Sequence, residues 1–144
     1  MFCDEDLAKY LKVIEVKLLK DLDVTVEYID GCTNNYFYYE EGIIEIGSKQ
    51  PLMIQLYSLL HEAGHAYLRD SKFFVQRKEG LKRYRRSYRV DVLREEIMAW
   101  ENGYNLAADL GIPVDTKEWN KFRTSSLFKY IVWAYDPRNY KPPK

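Results

Sequence analysis

Two histidines, His61 and His65, enclose a glutamate in the sequence HEAGH. Residues four apart lie on one face of an α-helix, with Cβ atoms about 5 to 6 Å apart, so both imidazoles can bind one metal ion. Glu62 projects about 100° further round the helix, where it can take a proton from a metal-activated water. The pattern predicts a hydrolase with one Zn²⁺ per chain, His61 and His65 as ligands and Glu62 as catalytic base.

A catalytic zinc site needs a third protein ligand and leaves its fourth position for water. The chain contains only two histidines, and both are already assigned. The third ligand is therefore predicted to be a carboxylate or Cys32, and the carboxylates lie on a helix predicted from Val90 to Leu110.

Glu96 lies at the centre of the apolar stripe of that helix, between Leu93 and Trp100. A carboxylate that faces a core is costly unless it is paired or bound to metal. We therefore predict Glu96 as the third ligand. Glu95 lies at the margin of the stripe as the nearest rival, and Glu101 lies on the polar side. The alternative for Glu96 is a buried ion pair with an arginine.

The elements that position these residues follow from the hydrophobic pattern. Apolar residues three and four apart predict helices, alternation and β-branched residues predict strands, and Asp115 to Glu118 has the pattern of a capping box. We expect an α+β fold, a zincin-like single domain over residues 1–136 with a small antiparallel three-stranded sheet packed against the HExxH helix. A glutamate-bearing helix and a C-terminal helix follow, and residues 137–144 form a flexible tail. The predicted elements are a helix from near Asp4, strands at 24–29, 36–40 and 43–47, and helices at 51–70, 90–110 and 115–135.

Composition narrows the class of protein. The chain has 144 residues, is 47% hydrophobic and balances 22 basic against 22 acidic residues, which fits one domain without global attraction to nucleic acid or a membrane. Its only cysteines are Cys3 and Cys32, too few for a disulfide framework. No signal sequence and no apolar run of about 18 residues is present. We expect a cytoplasmic protein with no membrane partner.

The segment from Lys72 to Arg94 carries nine basic and two acidic residues. A solvated loop is the simpler interpretation, and contact with nucleic acid is possible but not favoured. Because the segment links the two predicted metal-binding helices, it can also select acidic substrates. Tyr84, Tyr88 or an arginine of this segment would then steady the oxyanion. Gly64, inside the motif helix, predicts close approach of another backbone.

The sequence HEAGHAYL, followed about thirty residues later by Glu96-Ile97-Met98-Ala99, resembles the gluzincin pattern of ImmA/IrrE-like metallopeptidases. In that family H-E-x-G-H is followed by a helix bearing E-x-x-A. The resemblance covers about residues 4 to 110. It implies a zinc peptidase acting on a protein or peptide substrate, with His61, His65 and Glu96 as ligands and Glu62 as base.

Two further hypotheses remain open. An H-E-x-x-H motif with a cysteine ligand is similar to peptide deformylase, which would make Cys32 the third ligand of an amidohydrolase. The other hypothesis is a zinc-stabilised, non-catalytic module that contacts nucleic acid or an acidic protein through residues 77–89. Structural zinc sites are closed by four ligands and need no base, so Glu62 argues for the enzyme.

Overall fold

The computed structural model describes residues 2–77 and 84–143. Within these ranges the chain is α+β, with four helices and three short strands. In chain order the elements are α1 (Asp4–Leu22), β1 (Thr25–Ile29), β2 (Asn35–Tyr38), β3 (Ile43–Gly47), α2 (Leu52–Ala66), α3 (Arg86–Asp109) and α4 (Thr116–Tyr135).

The first helix is amphipathic, as its spacing predicts. One face of the helix is buried and consists of Leu7, Leu11, Ile14 and Leu18. Three acidic residues occupy the first turn, where their negative charges interact favourably with the helix dipole. The buried face packs against α2 and β1. The helix α1 therefore covers α2, the helix that carries HEAGH.

The sheet is mixed, with β3 in the centre and the strand order β1-β3-β2. Strand β2 runs antiparallel to β3, and β1 runs parallel to it. The prediction of an antiparallel sheet is therefore right for β2 and wrong for β1. The prediction that the sheet packs against the motif helix is confirmed, since β2 and β3 both contact α2.

The two connections of the sheet explain this topology. A tight turn joins β2 to β3, with Gly42 in the left-handed region at φ 68° and its N–H donating to the Tyr38 carbonyl. The preceding connection, residues 30–34, crosses the end of β3, where Lys49 N–H donates to the Cys32 carbonyl. This crossing places β2 on one edge of β3 and leaves β1 on the other.

The helices α2 and α3 approach to backbone contact at two glycines. A Cβ on Gly64 would overlap the carbonyl oxygen of Ala99, and a Cβ on Gly103 would lie 2.5 Å from the carbonyl oxygen of Leu60. The predicted close approach at Gly64 is confirmed. It brings the ligand-bearing faces of the two helices together, with Asn102 Nδ2 donating to the Gly64 carbonyl at 3.3 Å.

The helix ends differ from the predicted ones where local turns intervene. The helix α2 ends at Ala66 and not near residue 70, because the chain turns there with Leu68 N–H donating to the His65 carbonyl. The helix α3 begins at Arg86, earlier than predicted. At the start of α4 the Asp115 carboxylate accepts from the N–H groups of Lys117 and Glu118, as the capping pattern predicts.

Within the described residues, every helix is too short or too polar to span a bilayer. The flexibility of residues 137–144 and the domain boundary at residue 136 stay predictions.

Candidate metal centre

His61 and His65 lie one turn apart on α2, and Glu96 reaches them from α3. The distance between the two imidazole Nε2 atoms is 3.2 Å. Glu96 Oε1 lies 3.1 Å from His61 Nε2, and Glu96 Oε2 lies 3.0 Å from His65 Nε2. The structure therefore brings together the three side chains that were predicted as ligands.

The three groups lie close enough to converge on one metal ion. One ligand atom from each side chain lies within 4.8 Å of the other two. Two imidazoles and a carboxylate are also the donor set of a catalytic zinc with one open position. Among the described residues, the group of potential ligands at this place consists of His61, His65 and Glu96.

Cys32 lies outside this group. Its sulfur accepts from Asn34 N–H at 3.3 Å, within the turn that follows β1. The arrangement therefore gives no support to the hypothesis of a cysteine ligand.

Glu95, the nearest rival to Glu96 as third ligand, is a hydrogen-bond partner of His65 in the structure. Its side chain is fully buried, and Oε2 accepts from His65 Nδ1, on the opposite edge of the imidazole from Nε2. Glu95 Oε1 accepts from Val75 N–H at 2.7 Å. Because Nδ1 is paired with Glu95, Nε2 is the nitrogen of His65 that can bind a metal once its own proton is released.

Arg77 bridges the two adjacent carboxylates. One terminal nitrogen lies 3.1 Å from Glu95 Oε1 and the other lies 2.9 Å from Glu96 Oε2. The alternative prediction of an arginine partner for Glu96 is thus also realised, alongside the two histidines. Arg77 balances part of the negative charge that Glu62, Glu95 and Glu96 place in the site.

These contacts shift the ionisation of the site in the metal-free chain. Burial by itself would lower the pKa of His65, but the charge of Glu96 and hydrogen bonds to Glu95 and Glu96 raise it to about 10. Burial opposes ionisation of Glu96, yet His65 and His61 hold its pKa well below the usual range. Without metal, His65 and Glu96 therefore form a buried pair of opposite charges.

The ring of Trp100 lies flat against His61, with centroids 4.2 Å apart and planes at 13°. Trp100 is buried, in agreement with its place on the apolar stripe, and Trp119 and Trp133 are buried too. Its position adds a second effect, because the indole restricts the rotation of the His61 imidazole.

Glu62 is buried beside the candidate ligands without joining them. Its Oε1 lies 3.9 Å from His61 Nδ1, the nitrogen that faces away from the ligand group. Its negative charge helps to raise the pKa of Tyr36 on β2 and of Tyr130 on α4, in both cases after burial as the larger cause. The Glu62 carboxylate is thus close enough to β2 and α4 to act on their tyrosines electrostatically. It does not belong to the group of three candidate ligands.

Tyr130 is a site residue that the sequence did not indicate. It is buried, and the negative charge of Glu96 in the ligand group acts on its hydroxyl. Burial first, then the charge of Glu96, raises the pKa of Tyr130 well above its usual value, so the phenol stays protonated and can donate. Its apolar spacing in α4 resembled that of an ordinary core residue.

Some arginines of the basic segment from Lys72 to Arg94 make contacts inside the protein, and others are exposed. Arg77 pairs with the two glutamates, and Arg89 is buried with Nε donating to the Ala134 carbonyl at 2.8 Å. Arg85 and Arg86 are exposed. Tyr88, predicted as a possible oxyanion donor, packs edge-on against Trp133. Three residues of this prediction, Lys78, Lys82 and Arg83, lie outside the described residues.

Comparison with protein-family models, with curated proteins and with solved structures finds no match to this chain.

Proposed function

We propose that this chain is a zinc-dependent metallopeptidase of the gluzincin type, with a zincin-like fold and one Zn²⁺ held by His61, His65 and Glu96. The observation that carries the proposal is the convergence of two imidazoles and one carboxylate. The two Nε2 atoms lie 3.2 Å apart, each is 3.0 or 3.1 Å from one oxygen of Glu96, and Glu62 lies beside the group without joining it. A buried carboxylate next to three ligands, and not bound to the metal itself, suits the role of general base in metal-assisted hydrolysis.

Zinc in such a site acidifies a water and polarises a carbonyl group. Glu62 accepts the proton of the attacking water and returns it to the leaving amine. Glu95 holds His65 in the tautomer that exposes Nε2, and Arg77 holds Glu95 and Glu96 in place. Tyr130 is a protonated donor beside Glu96 and is suited to stabilising the negative charge that develops on the carbonyl oxygen.

The position of β2 favours a peptide as the substrate. The strand forms one edge of the described sheet, with β3 on its other side, and it carries Tyr36 within electrostatic range of Glu62. An extended peptide can pair with such an edge through main-chain hydrogen bonds. A protein or peptide substrate and a cytoplasmic location belong to the same proposal, as does kinship with the ImmA/IrrE-like peptidases.

Cleavage of a broad peptide mixture, followed by mass spectrometry, tests the proposal with zinc-loaded wild type and its Glu62→Gln variant. We expect the wild type to cleave, and the variant to keep its zinc while losing about 100- to 10,000-fold in rate. Glu5→Gln, an exposed change on α1, is the control and should cleave normally. Cleavage by Glu62→Gln at the wild-type rate would contradict the role of the base. No cleavage by the zinc-loaded wild type, with salt-sensitive nucleic-acid binding instead, would favour the binding-module hypothesis.

A further inference from the structure

A cavity of about 430 Å³ lies between α3 and the first half of α4. Its wall on α3 includes Trp100, Tyr104 and Asn105, and its wall on α4 includes Trp119, Asn120 and Arg123. Aromatic rings meet edge-on across it, with the centroids of Trp100 and Trp119 5.0 Å apart. The cavity therefore combines flat apolar surfaces with amide and guanidinium groups, which is the usual composition of a small binding site.

Trp100 connects this cavity to the candidate metal centre. The same indole that lines the cavity stacks on His61. Trp100 follows the predicted ligand Glu96 by four residues, which is about 6 Å along the helix axis. An extended peptide advances about 3.3 Å per residue, so a residue one or two positions from the cleaved bond can reach the cavity.

Arg123 brings a positive charge to the lining of this cavity. No carboxylate in the described part of the chain lies within ion-pairing distance of Arg123. A guanidinium that lines a cavity without a carboxylate partner can bind an acceptor supplied from outside.

The charges of the cavity narrow the choice of acceptor. A guanidinium binds a carboxylate through two parallel hydrogen bonds, and these are stronger than bonds to a neutral carbonyl. Glu101 also lines the cavity, but it is exposed and remains hydrated, so it needs no ligand of its own. Its negative charge weakens the attraction for an anion without removing it.

We propose that this cavity is a specificity pocket that binds a carboxylate of the substrate through Arg123, beside the aromatic ring of Trp100. The inference rests on the proposed peptidase function and deepens it. The carboxylate comes either from an Asp or Glu side chain near the cleaved bond or from the end of the peptide, and both present the same group to Arg123.

Matched peptides derived from one cleaved sequence test the pocket. One version carries Glu near the cleaved bond and an amidated end, the second replaces Glu by Gln, and the third has Gln with a free C-terminal carboxylate. In the wild type we expect one of the two carboxylate versions to exceed the neutral version in kcat/KM by about 10- to 100-fold. Arg123→Gln should abolish this preference while zinc content stays unchanged.

Two further variants sharpen the comparison. Lys121→Gln removes one positive charge from an exposed position of α4, outside the lining of the cavity, and should keep the preference. Glu101→Gln removes the opposing charge and should increase it. Equal preferences in the wild type and Arg123→Gln, with both proteins cleaving, would overturn the pocket and leave the peptidase proposal standing.

A binding measurement separates failure of the pocket from failure of the peptidase proposal. N-acetylglutamate methylamide and its glutamine counterpart are titrated into the zinc-loaded Glu62→Gln protein while the Trp100 indole N–H is followed by NMR, assigned with Trp100→Phe. We expect only the glutamate probe to shift this resonance, and Arg123→Gln to remove the shift. If no peptide is cleaved but the shift occurs, the carboxylate-binding pocket is supported and the peptidase proposal is not. No shift with either probe would overturn the pocket.

Discussion

Glu95 and His65 meet across the interface of α2 and α3, where the Glu95 carboxylate accepts from His65 Nδ1. The contact orients the imidazole so that Nε2 faces Glu96. Carboxylates behind a ligating histidine typically contribute 10- to 100-fold to metal affinity. Glu95 is thus a positioning residue of the proposed zinc site.

Glu95→Gln should weaken zinc binding by about 10- to 100-fold without abolishing it, because the three ligands remain. Competition with a chromophoric chelator measures the zinc Kd of this variant beside that of Glu96→Gln. If Glu95→Gln lost as much affinity as Glu96→Gln, Glu95 would be acting as a ligand. An unchanged Kd would show that its contact with His65 does not matter for the metal.

Zinc binding should release a proton. The folded metal-free chain holds a proton on His65 up to a pKa of about 10, and a zinc ion needs the lone pair of Nε2. The proton competes with the metal, so affinity falls as pH falls, by about tenfold per unit below pH 10 for one proton. Calorimetry at pH 7 in buffers of different ionisation enthalpy should give about one proton released. A binding enthalpy independent of the buffer would contradict this account.

Tyr130→Phe should lower kcat by about 100-fold if the hydroxyl stabilises the developing oxyanion. Zinc affinity should change by no more than about tenfold, because the three ligands stay and only a hydroxyl near Glu96 is removed. Steady-state kinetics on a cleaved peptide and a zinc titration give both quantities. Tyr135→Phe, on an exposed position of α4, is the matched control. A loss of zinc affinity with unchanged turnover of the loaded enzyme would limit Tyr130 to a structural role.

Gly64→Ala should destabilise the fold by about 1 to 3 kcal/mol, since the new methyl overlaps the Ala99 carbonyl and pushes α3 from α2. The same shift moves Glu96 away from the histidines, so zinc affinity should fall as well. Urea unfolding of the metal-free proteins measures the first effect. Ser58→Ala on α2 is the control and should lie within about 0.5 kcal/mol of wild type. Wild-type stability and zinc affinity in Gly64→Ala would mean that the two helices are not tightly joined here.

The candidate ligands could be read from the sequence because their spacing is local. A separation of four residues on a helix aligns His61 and His65, and the period of α3 directs Glu96 to the apolar side. The backbone approach at Gly64 followed from the cost of glycine inside a helix. Each of these inferences needs only the geometry of one helix.

The remaining contacts of the site depend on how separate elements are arranged. Glu95 reaches His65 across 30 residues of sequence, and Arg77 enters from a loop without periodicity. Tyr130 differs from a core tyrosine only through its proximity to Glu96. In the same way, the sequences of the short apolar strands β1 and β3 do not indicate which strands pair or in which direction. The parallel pairing of β1 with β3 was therefore not predicted. All of these contacts depend on long-range packing, which cannot be deduced from the hydrophobic pattern of the sequence.

The zinc content of the purified protein tests the central claim most directly. Wild type, His61→Ala, Glu96→Gln and Cys32→Ser are stripped, reloaded with zinc, dialysed and analysed for metal. We expect about one zinc per chain in wild type and Cys32→Ser, and almost none in His61→Ala and Glu96→Gln, because each lacks one of three ligands. Wild type without zinc above background, or Glu96→Gln with as much zinc as wild type, would contradict the account.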